Sequence, residues 1–393
     1  MGGIRRRLFR FAGAAALAAA ALSGCDELGI KAEARAIVEA GNQEPTWIKE
    51  TLASEGDVGS ASSLALYGNE PRIAFYRKDA RNIGLYFSKR SGSGWGVSEL
   101  VHLNTGSVVS LDVNSTDVPF IAAFSSSGSS IGYYAKPDGW EKDTAFLPSI
   151  GSVASLSLCA DYVNDATNHP PKTGVLLGYG WANGPGSGTV SLHRSGSASD
   201  IVSLSNPSGT APSMVMCAES AAIQHFIYID KILVPLGAYW NSYPLVSPYR
   251  FSGEGDITSI SFALDPAGGM HAAYVLGTNT YYRSATTSAP SSWEYPSDPP
   301  IVAHATAGLA IGAIPDGSGG YLPCVAYQDG TPKKHLLLSY KTKAGTWLTE
   351  TVEDGVEVIG DVSLSVDSLG RVHISYYDYD HADMKYARRL PVY

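Results

Sequence analysis

The sequence predicts an all-β fold: a seven-bladed propeller of four-stranded blades over residues 45–393, its ring closed by an N-terminal outer strand. Three observations carry that expectation. A unit of about 50 residues recurs along the chain, tryptophans mark its boundaries at near-regular intervals, and each unit holds four short apolar runs separated by Gly/Asn/Asp/Ser turns. Composition agrees. Charged residues make up 17% against a usual ~25%, hydrophobic residues reach 44%, and 42 glycines accompany 22 prolines, which excludes a disordered chain or a coiled coil.

Residues 1–11 are basic, residues 12–22 are apolar and alanine-rich, and the run ends Leu22-Ser23-Gly24-Cys25. A basic head followed by an apolar stretch too short to span a bilayer is a signal peptide, here residues 1–24. The four terminal residues resemble the lipobox of bacterial lipoproteins. That resemblance implies a diacylglyceryl group on Cys25, cleavage before it, and a protein lipid-anchored to the inner or outer membrane of a bacterial cell envelope. An ordinary secretory signal with an incidental cysteine is the alternative. Arg6-Arg7-Leu8-Phe9 also resembles the twin-arginine core, with Arg10 where an apolar residue is usual. No later apolar run approaches the ~18 residues of a spanning helix, so the anchor is the expected membrane partner. Residues 25–44 form a tether or one short helix, 27–41 having the only helical composition of the mature chain.

The repeat is clearest at the C-terminus: Trp347-x-x-Glu350, Ser363-Leu364-x-Val366-Asp367-x-x-Gly370, Val372-His373-Ile374-Ser375-Tyr376, then Lys385-Tyr386-Ala387. Pro71-Arg72-Ile73, Pro119-Phe120-Ile121, His225-Phe226-Ile227, His271-Ala272-Ala273 and Pro323-Cys324-Val325 match the His373 strand, and Tyr86, Tyr134, Tyr282 and Tyr340 match Tyr386. Trp47, Trp95 and Trp140 stand 48 and 45 residues apart and Trp293 and Trp347 54 apart, whereas Trp140 to Trp293 is 153, three intervals of 51. Two boundaries without tryptophan, near Ala198 and Tyr243, complete seven units. The first run of each unit alternates small with large residues, as in Ser63/Ala65 against Leu64/Leu66 and Ser363/Ser365 against Leu364/Val366. Wedge-shaped blades converging on an axis need that pattern in their innermost strand. The Trp47 strand has no blade of its own, and the last blade, 361–388, lacks an outer strand; pairing the two removes an exposed edge.

Over roughly 47–393 these repeats resemble the sialidase/BNR-like group of bacterial propellers. The turns before tryptophan, such as Ser91-Gly92-Ser93-Gly94-Trp95 and Lys136-Pro137-Asp138-Gly139-Trp140, lack that group's Asp-box. Pro71-Arg72-Ile73 resembles the group's first arginine motif, with Ala74 where the motif has proline. Arg72 also falls on the repeat position of His225, His271 and His373, so an ordinary blade position accounts for it.

Removing the first 24 residues, with their four arginines, leaves 24 basic residues against 37 acidic ones, a net charge of −13, so nucleic acid is excluded as a partner. Three histidines suit zinc, but His225, His271 and His373 belong to different blades and diverge around the ring. No cofactor is implied beyond calcium, for which Asp378, Asp380 and Asp383 offer closely spaced loop carboxylates. The run lacks the glycine and distal glutamate of an EF-hand loop, and a solvated hairpin is the other reading. The insertion 161–173 carries Asp, Asn and His between turn-forming prolines and reads as a loop. Cys159 and Cys217 hold equivalent places in adjacent blades, a blade's width apart, so free thiols are expected. Asp112, the one acid on the small face of an inner strand, is either a hydrogen-bonded partner near the axis or a ligand contact.

The expected function is a lipid-anchored, non-catalytic propeller presenting one rim of loops to a glycan or protein ligand. The candidate contacts are Arg77, Arg81, Trp181, Asp230, Asp329, Asp378, Tyr379, Asp380 and His381, joined by Asp57, Glu254, Asp256, Glu357 and Asp361 from the outer-to-inner connections. A divergent sialidase-like, glycan-active hydrolase and a structural component of an envelope complex are the alternatives.

Overall fold

The computed structural model describes residues 47–389 apart from 79–82, 93, 104, 126–130, 137–139, 144–151, 161–175, 183–187, 195–201, 207–213, 219–223, 231–236, 244–248, 251–256, 288–292, 294–300 and 304. The signal peptide, Cys25, the 25–44 tether, Arg81, Glu254, Asp256 and the 161–173 insertion lie outside the described residues.

Seven antiparallel sheets follow one another along the chain, at 57–103, 105–143, 152–206, 214–250, 257–303, 305–353 and 363–389, here blades 1 to 7. The first strands of consecutive blades touch around a closed ring, so they are the inner strands, and their residues from all seven blades line one axial cavity. Blade 7 supplies only three strands from the C-terminus. Its fourth and outermost is Ile48–Ala53, paired antiparallel with Asp383–Arg389 in the register Ile48↔Arg388 to Thr51↔Lys385. The expected closure is therefore the one observed.

Burial follows from this geometry. Each blade packs both faces against its neighbours, and the buried apolar side chains fall into seven clusters, each spanning one seam between blades. Second strands sit in the middle of their sandwiches and are covered on both faces, as in Val372–Asp378, where every residue, polar or apolar, is buried.

The small residues of the inner strands do more than avoid crowding. An inner strand is a sheet edge with unpaired N–H groups, and a serine hydroxyl of the preceding blade accepts from it: Ser63 from Leu111 at 3.0 Å, Ser110 from Leu158 at 3.0 Å, Ser157 from Met216 at 3.0 Å, Ser261 from Ile311 at 3.1 Å and Ser363 from Leu64 at 3.0 Å. At the two remaining seams the same place holds Val215 or Ala310. Where the ring closes, Gly360 has φ 83° and lies so near blade 1 that a Cβ would stand 2.7 Å from the Ser60 carbonyl oxygen, so no other residue fits there.

Strand register corrects the tyrosine alignment. Tyr386 lies opposite Ser375, two residues beyond His373, and Tyr282 lies opposite Ala273, two beyond His271. Tyr340, however, lies opposite Cys324, which itself holds the histidine position, while Tyr86 and Tyr134 lie opposite Phe75 and Ile121. Only Tyr282 is equivalent to Tyr386. The one-residue slips of Tyr86 and Tyr134 turn them to the other face of their sheets, while the two-residue slip of Tyr340 keeps its face and moves it along the strand.

Candidate functional site

The axial cavity measures about 960 Å³ and includes Leu64, Asp112, Cys159, Cys217, Asp265 and Leu364 in its lining. Asp112 is a structural partner there: its Oδ1 accepts from Val113 N and its Oδ2 from Ala160 N of the next blade, both at 2.8 Å. Cys159, Cys217 and Cys324 are free thiols. Burial pushes Cys217 and Cys324 up to about 12, so neither is a thiolate nucleophile at neutral pH.

Two histidines of the repeat close buried relays at the lower ends of their blades, where inner strands turn into second strands. His271 Nε2 meets Asp265 Oδ2 at 2.9 Å and its Nδ1 meets Tyr282 Oη at 2.7 Å; His373 meets Asp367 at 3.2 Å and Tyr386 at 2.6 Å in the same way. Each aspartate also builds the turn before it, Asp367 Oδ1 accepting from Leu369 N at 2.9 Å and Arg371 N at 2.8 Å. In blade 4 the third-strand partner is Trp240, stacked on His225 at 5.8 Å. Arg72, at the same repeat position in blade 1, is buried and bidentate to Asp117 of blade 2, with both bonds 3.0 Å. It staples two blades together. These side chains serve the fold, and the arginine to which the sialidase resemblance pointed is occupied by that staple.

The opposite rim carries the expected loop residues, and the structure gathers some of them. Asp378, Tyr379, Asp380 and His381 lie together on one hairpin of blade 7, which the Lys333–Asp380 pair joins to the blade 6 connection that begins at Asp329. Asp378 is wholly buried, with Oδ2 2.9 Å from His381 Nδ1 and 3.5 Å from Lys385 Nζ. Asp380 turns the other way: it accepts from Glu357 N at 3.0 Å and pairs with Lys333 at 3.2 Å. The Glu357 N–H first and Lys333 second hold its carboxyl below the usual range. Asp329 accepts from Thr331 Oγ1 at 2.6 Å and His335 N at 2.9 Å; these bonds outweigh burial and lower its carboxyl as well. Tyr379 is 54% exposed, braced edge-on at 6.2 Å by Tyr377, whose hydroxyl donates to Asp57 of blade 1 at 2.7 Å.

The other candidates lie elsewhere. Arg77 is in the strand Glu70–Lys78 of blade 1 and not in a loop, with its guanidinium 2.9 Å from Glu55 and over the Tyr86 ring. Trp181 is also a strand residue, in Leu176–Ala182 opposite Thr189, because the third strand of blade 3 keeps pairing past the expected loop. Asp230 ends the second strand of blade 4. Blades 3 and 4 stand across the ring from blade 7, so Trp181 and Asp230 share no site with Tyr379. The proposed calcium ligands are not gathered either: Asp378 faces inward, Asp380 faces Lys333, and Asp383 lies 4.0 Å from Lys385 Nζ. Among the described residues no three His, Cys, Asp or Glu side chains form a metal-holding group. Lys333, which ties blade 6 to Asp380 of blade 7, went unread in the sequence, because the pairing of a hairpin lysine with a carboxylate one blade away has no local signal; Lys385 was read only as part of the repeat, and it pairs within its own hairpin with Asp378 and Asp383.

The rim thus offers an exposed aromatic ring beside ionised carboxylates and a lysine. The chemistry of such a surface is compatible with a hydroxylated ring, an apolar face stacking on a tyrosine and hydroxyls donating to carboxylates.

No protein-family model and no curated protein matches the chain. Among solved structures it is similar to a fungal lectin from Aleuria aurantia, a six-bladed β-propeller with a fucose recognition mode, at TM-score 0.50 and 14% identity, over 79% of this chain and 99% of that one. It is also similar to a PL25 ulvan lyase bound to a GlcA–Rha3S sugar, at TM-score 0.53 and 8% identity, over 86% of this chain and 95% of that one. A third similar structure is the Hadza microbial sialidase Hz136, at TM-score 0.46 and 12% identity; the match covers 86% of this chain but only 66% of the sialidase. At such identities the likeness is one of fold. The chain has one blade more than the lectin.

Proposed function

We propose that this protein is a lipid-anchored, non-catalytic propeller of the bacterial cell envelope whose rim at blades 6 and 7 binds a glycan. The observation that carries the reading is Tyr379, exposed on the rim, braced edge-on by Tyr377 and followed in the chain by Asp380, whose carboxyl is held low. Two proteins of like fold, one with a fucose recognition mode and one bound to a sugar, support it. The carboxylates are held low, opposite to the shift a glycosidase acid needs. On a glycan array the chain from Asp26 onward is expected to bind, and Tyr379→Ala to weaken binding about tenfold, the loss of one stacked ring, with an unchanged melt. Equal binding by the variant would refute the rim.

One observation favours the rival hydrolase. Asp361, next to the inner strand of blade 7, has its carboxyl pushed up to about 6 by the protein packed around it, although the residue itself reaches solvent. Turnover of a sialyl substrate that Asp361→Asn abolishes would establish that reading; no turnover is expected.

The anchor rests on Leu22-Ser23-Gly24-Cys25. Among the described residues no helix is long and apolar enough to cross a membrane. Cys25→Ala is expected to leave unlipidated precursor or soluble protein, because it removes the thiol that the motif offers for acylation. Retention of the variant in membranes after a salt wash would refute it.

A further inference from the structure

Blade 6 departs from its neighbours on the lower face, opposite the rim. In blades 5 and 7 the inner hairpin turns at once after the pairs Leu264↔Met270 and Val366↔Val372. In blade 6 the matching pair is Ala313↔Pro323, and the hairpin runs on through Ile314↔Leu322 and Pro315↔Tyr321 before turning at Asp316. This extension stands between two cavities. One, of about 390 Å³, opens toward blade 7 and is walled by Ile314, Leu322, the Tyr340 ring and Arg389; the other, of about 500 Å³, opens toward blade 5 and reaches His271, Tyr282 and Tyr321. Lys341, Thr342 and Lys343 line both.

The charge here runs against the acidic chain. Lys341, Lys343 and Arg389 face the smaller cavity with Asp316 as the one acid in its lining. Arg389 is already engaged by Glu350, with Nε 2.6 Å from Oε2, and lies 4.6 Å over the Tyr340 ring. Asp316 is satisfied by Ser318 and Gly320, which with Lys343 hold its carboxyl low. Lys341 makes no hydrogen bond or ion pair with any described residue. An anion entering this cavity meets an uncommitted ammonium without breaking any existing pair, and the apolar walls beside it suit a ring.

We propose that the cavity between blades 6 and 7 binds a small carboxylate carried on a ring-sized body, its carboxylate paired with Lys341 and Lys343 and its ring packed against Ile314, Leu322 and Tyr340. This site lies on the face opposite the glycan rim and does not depend on it.

The test is a titration of the purified full chain with sodium D-glucuronate and sodium benzoate at fixed ionic strength, beside the neutral D-glucose and benzyl alcohol. At least one anion is expected to bind about tenfold more tightly than its neutral counterpart, and the anion preferred tells whether the ring is a sugar or an aromatic one. The double variant Lys341→Ala/Lys343→Ala should lose about tenfold in affinity for it with an unchanged melt, since both side chains reach solvent, while Tyr379→Ala should leave it intact. Binding of neither anion, equal binding of the neutral compound, or wild-type affinity in the double variant would each overturn the proposal.

Discussion

A chain cut back to Gly56 is expected to lose cooperative folding, whereas one beginning at Gln43 should melt like the longer protein. The two differ by residues 43–55, which include the strand Ile48–Ala53, Trp47 before it and Glu55, the partner of Arg77. Trp47 is buried in the core at the seam of blades 6 and 7, and five register pairs join the strand to Asp383–Arg389. Lys49 reaches Glu353 at 3.1 Å and Glu50 takes Arg90 of blade 1 at 3.1 Å, so the strand also holds both neighbouring blades. Losing the buried tryptophan from that seam costs about 3 kcal/mol and the lost backbone bonds about 1 kcal/mol each. Together this is roughly 8 kcal/mol, within the range of a protein's whole net stability of roughly 5–15 kcal/mol. The cut also leaves Asp383–Arg389 as an open edge beside two unsupported faces, a template for aggregation. Circular dichroism melts and gel filtration of the two truncations distinguish the outcomes. Equal melting temperatures would show that the ring does not depend on this closure.

The closure was legible in the sequence because it is a matter of counting: Trp47 begins a run with no partner upstream, and the unit ending at Arg388 is one run short. The blades were legible for a similar reason, since period and alternation survive in one dimension. Side-chain partnerships across blades did not survive there. His373 was readable as a repeated position, but its aspartate belongs to the turn six residues earlier and its tyrosine to another strand, so the relay exists only once register is fixed. The same limit misplaced Tyr340, and it misplaced Trp181, where continued pairing depends on the opposite strand and not on the local run. At the rim, the stretch Asp378-Tyr379-Asp380-His381 announced itself by charge density, yet its aspartates turn in opposite directions. The blade 6 extension was written as Asp316-Gly317-Ser318-Gly319-Gly320 beside Asp265-Pro266-Ala267-Gly268-Gly269. Its two added pairs show only when the hairpins are compared in register.

Asp367→Ala is expected to be the most damaging single substitution in blade 7. The carboxylate is wholly buried and has no idle oxygen: Oδ1 carries the turn, while Oδ2 meets Arg371 Nε and, at 3.2 Å, His373 Nε2. Its removal takes the carboxylate from the partly buried Arg371 and from a buried imidazole whose other nitrogen is held by Tyr386, and it leaves the turn without its acceptor, a loss of roughly 3 kcal/mol. Asp367→Asn keeps one acceptor for the turn and should cost less. The same group sets a pH dependence. Burial raises the Asp367 carboxyl, but the bonds from His373 and Arg371 outweigh it and leave a net lowering; burial lowers His373 and His271. A histidine lowered in the folded state makes the unfolded chain take up protons first, so stability is complete above about pH 6.5 and begins to fall below it. Asp367 adds a second loss below about pH 4, with the same sign. Denaturant unfolding between pH 8 and pH 3 should therefore show a falling midpoint in two steps, the upper one reduced in His373→Phe. A midpoint that rises on acidification to pH 5 would mean that these histidines are not neutral links in buried relays.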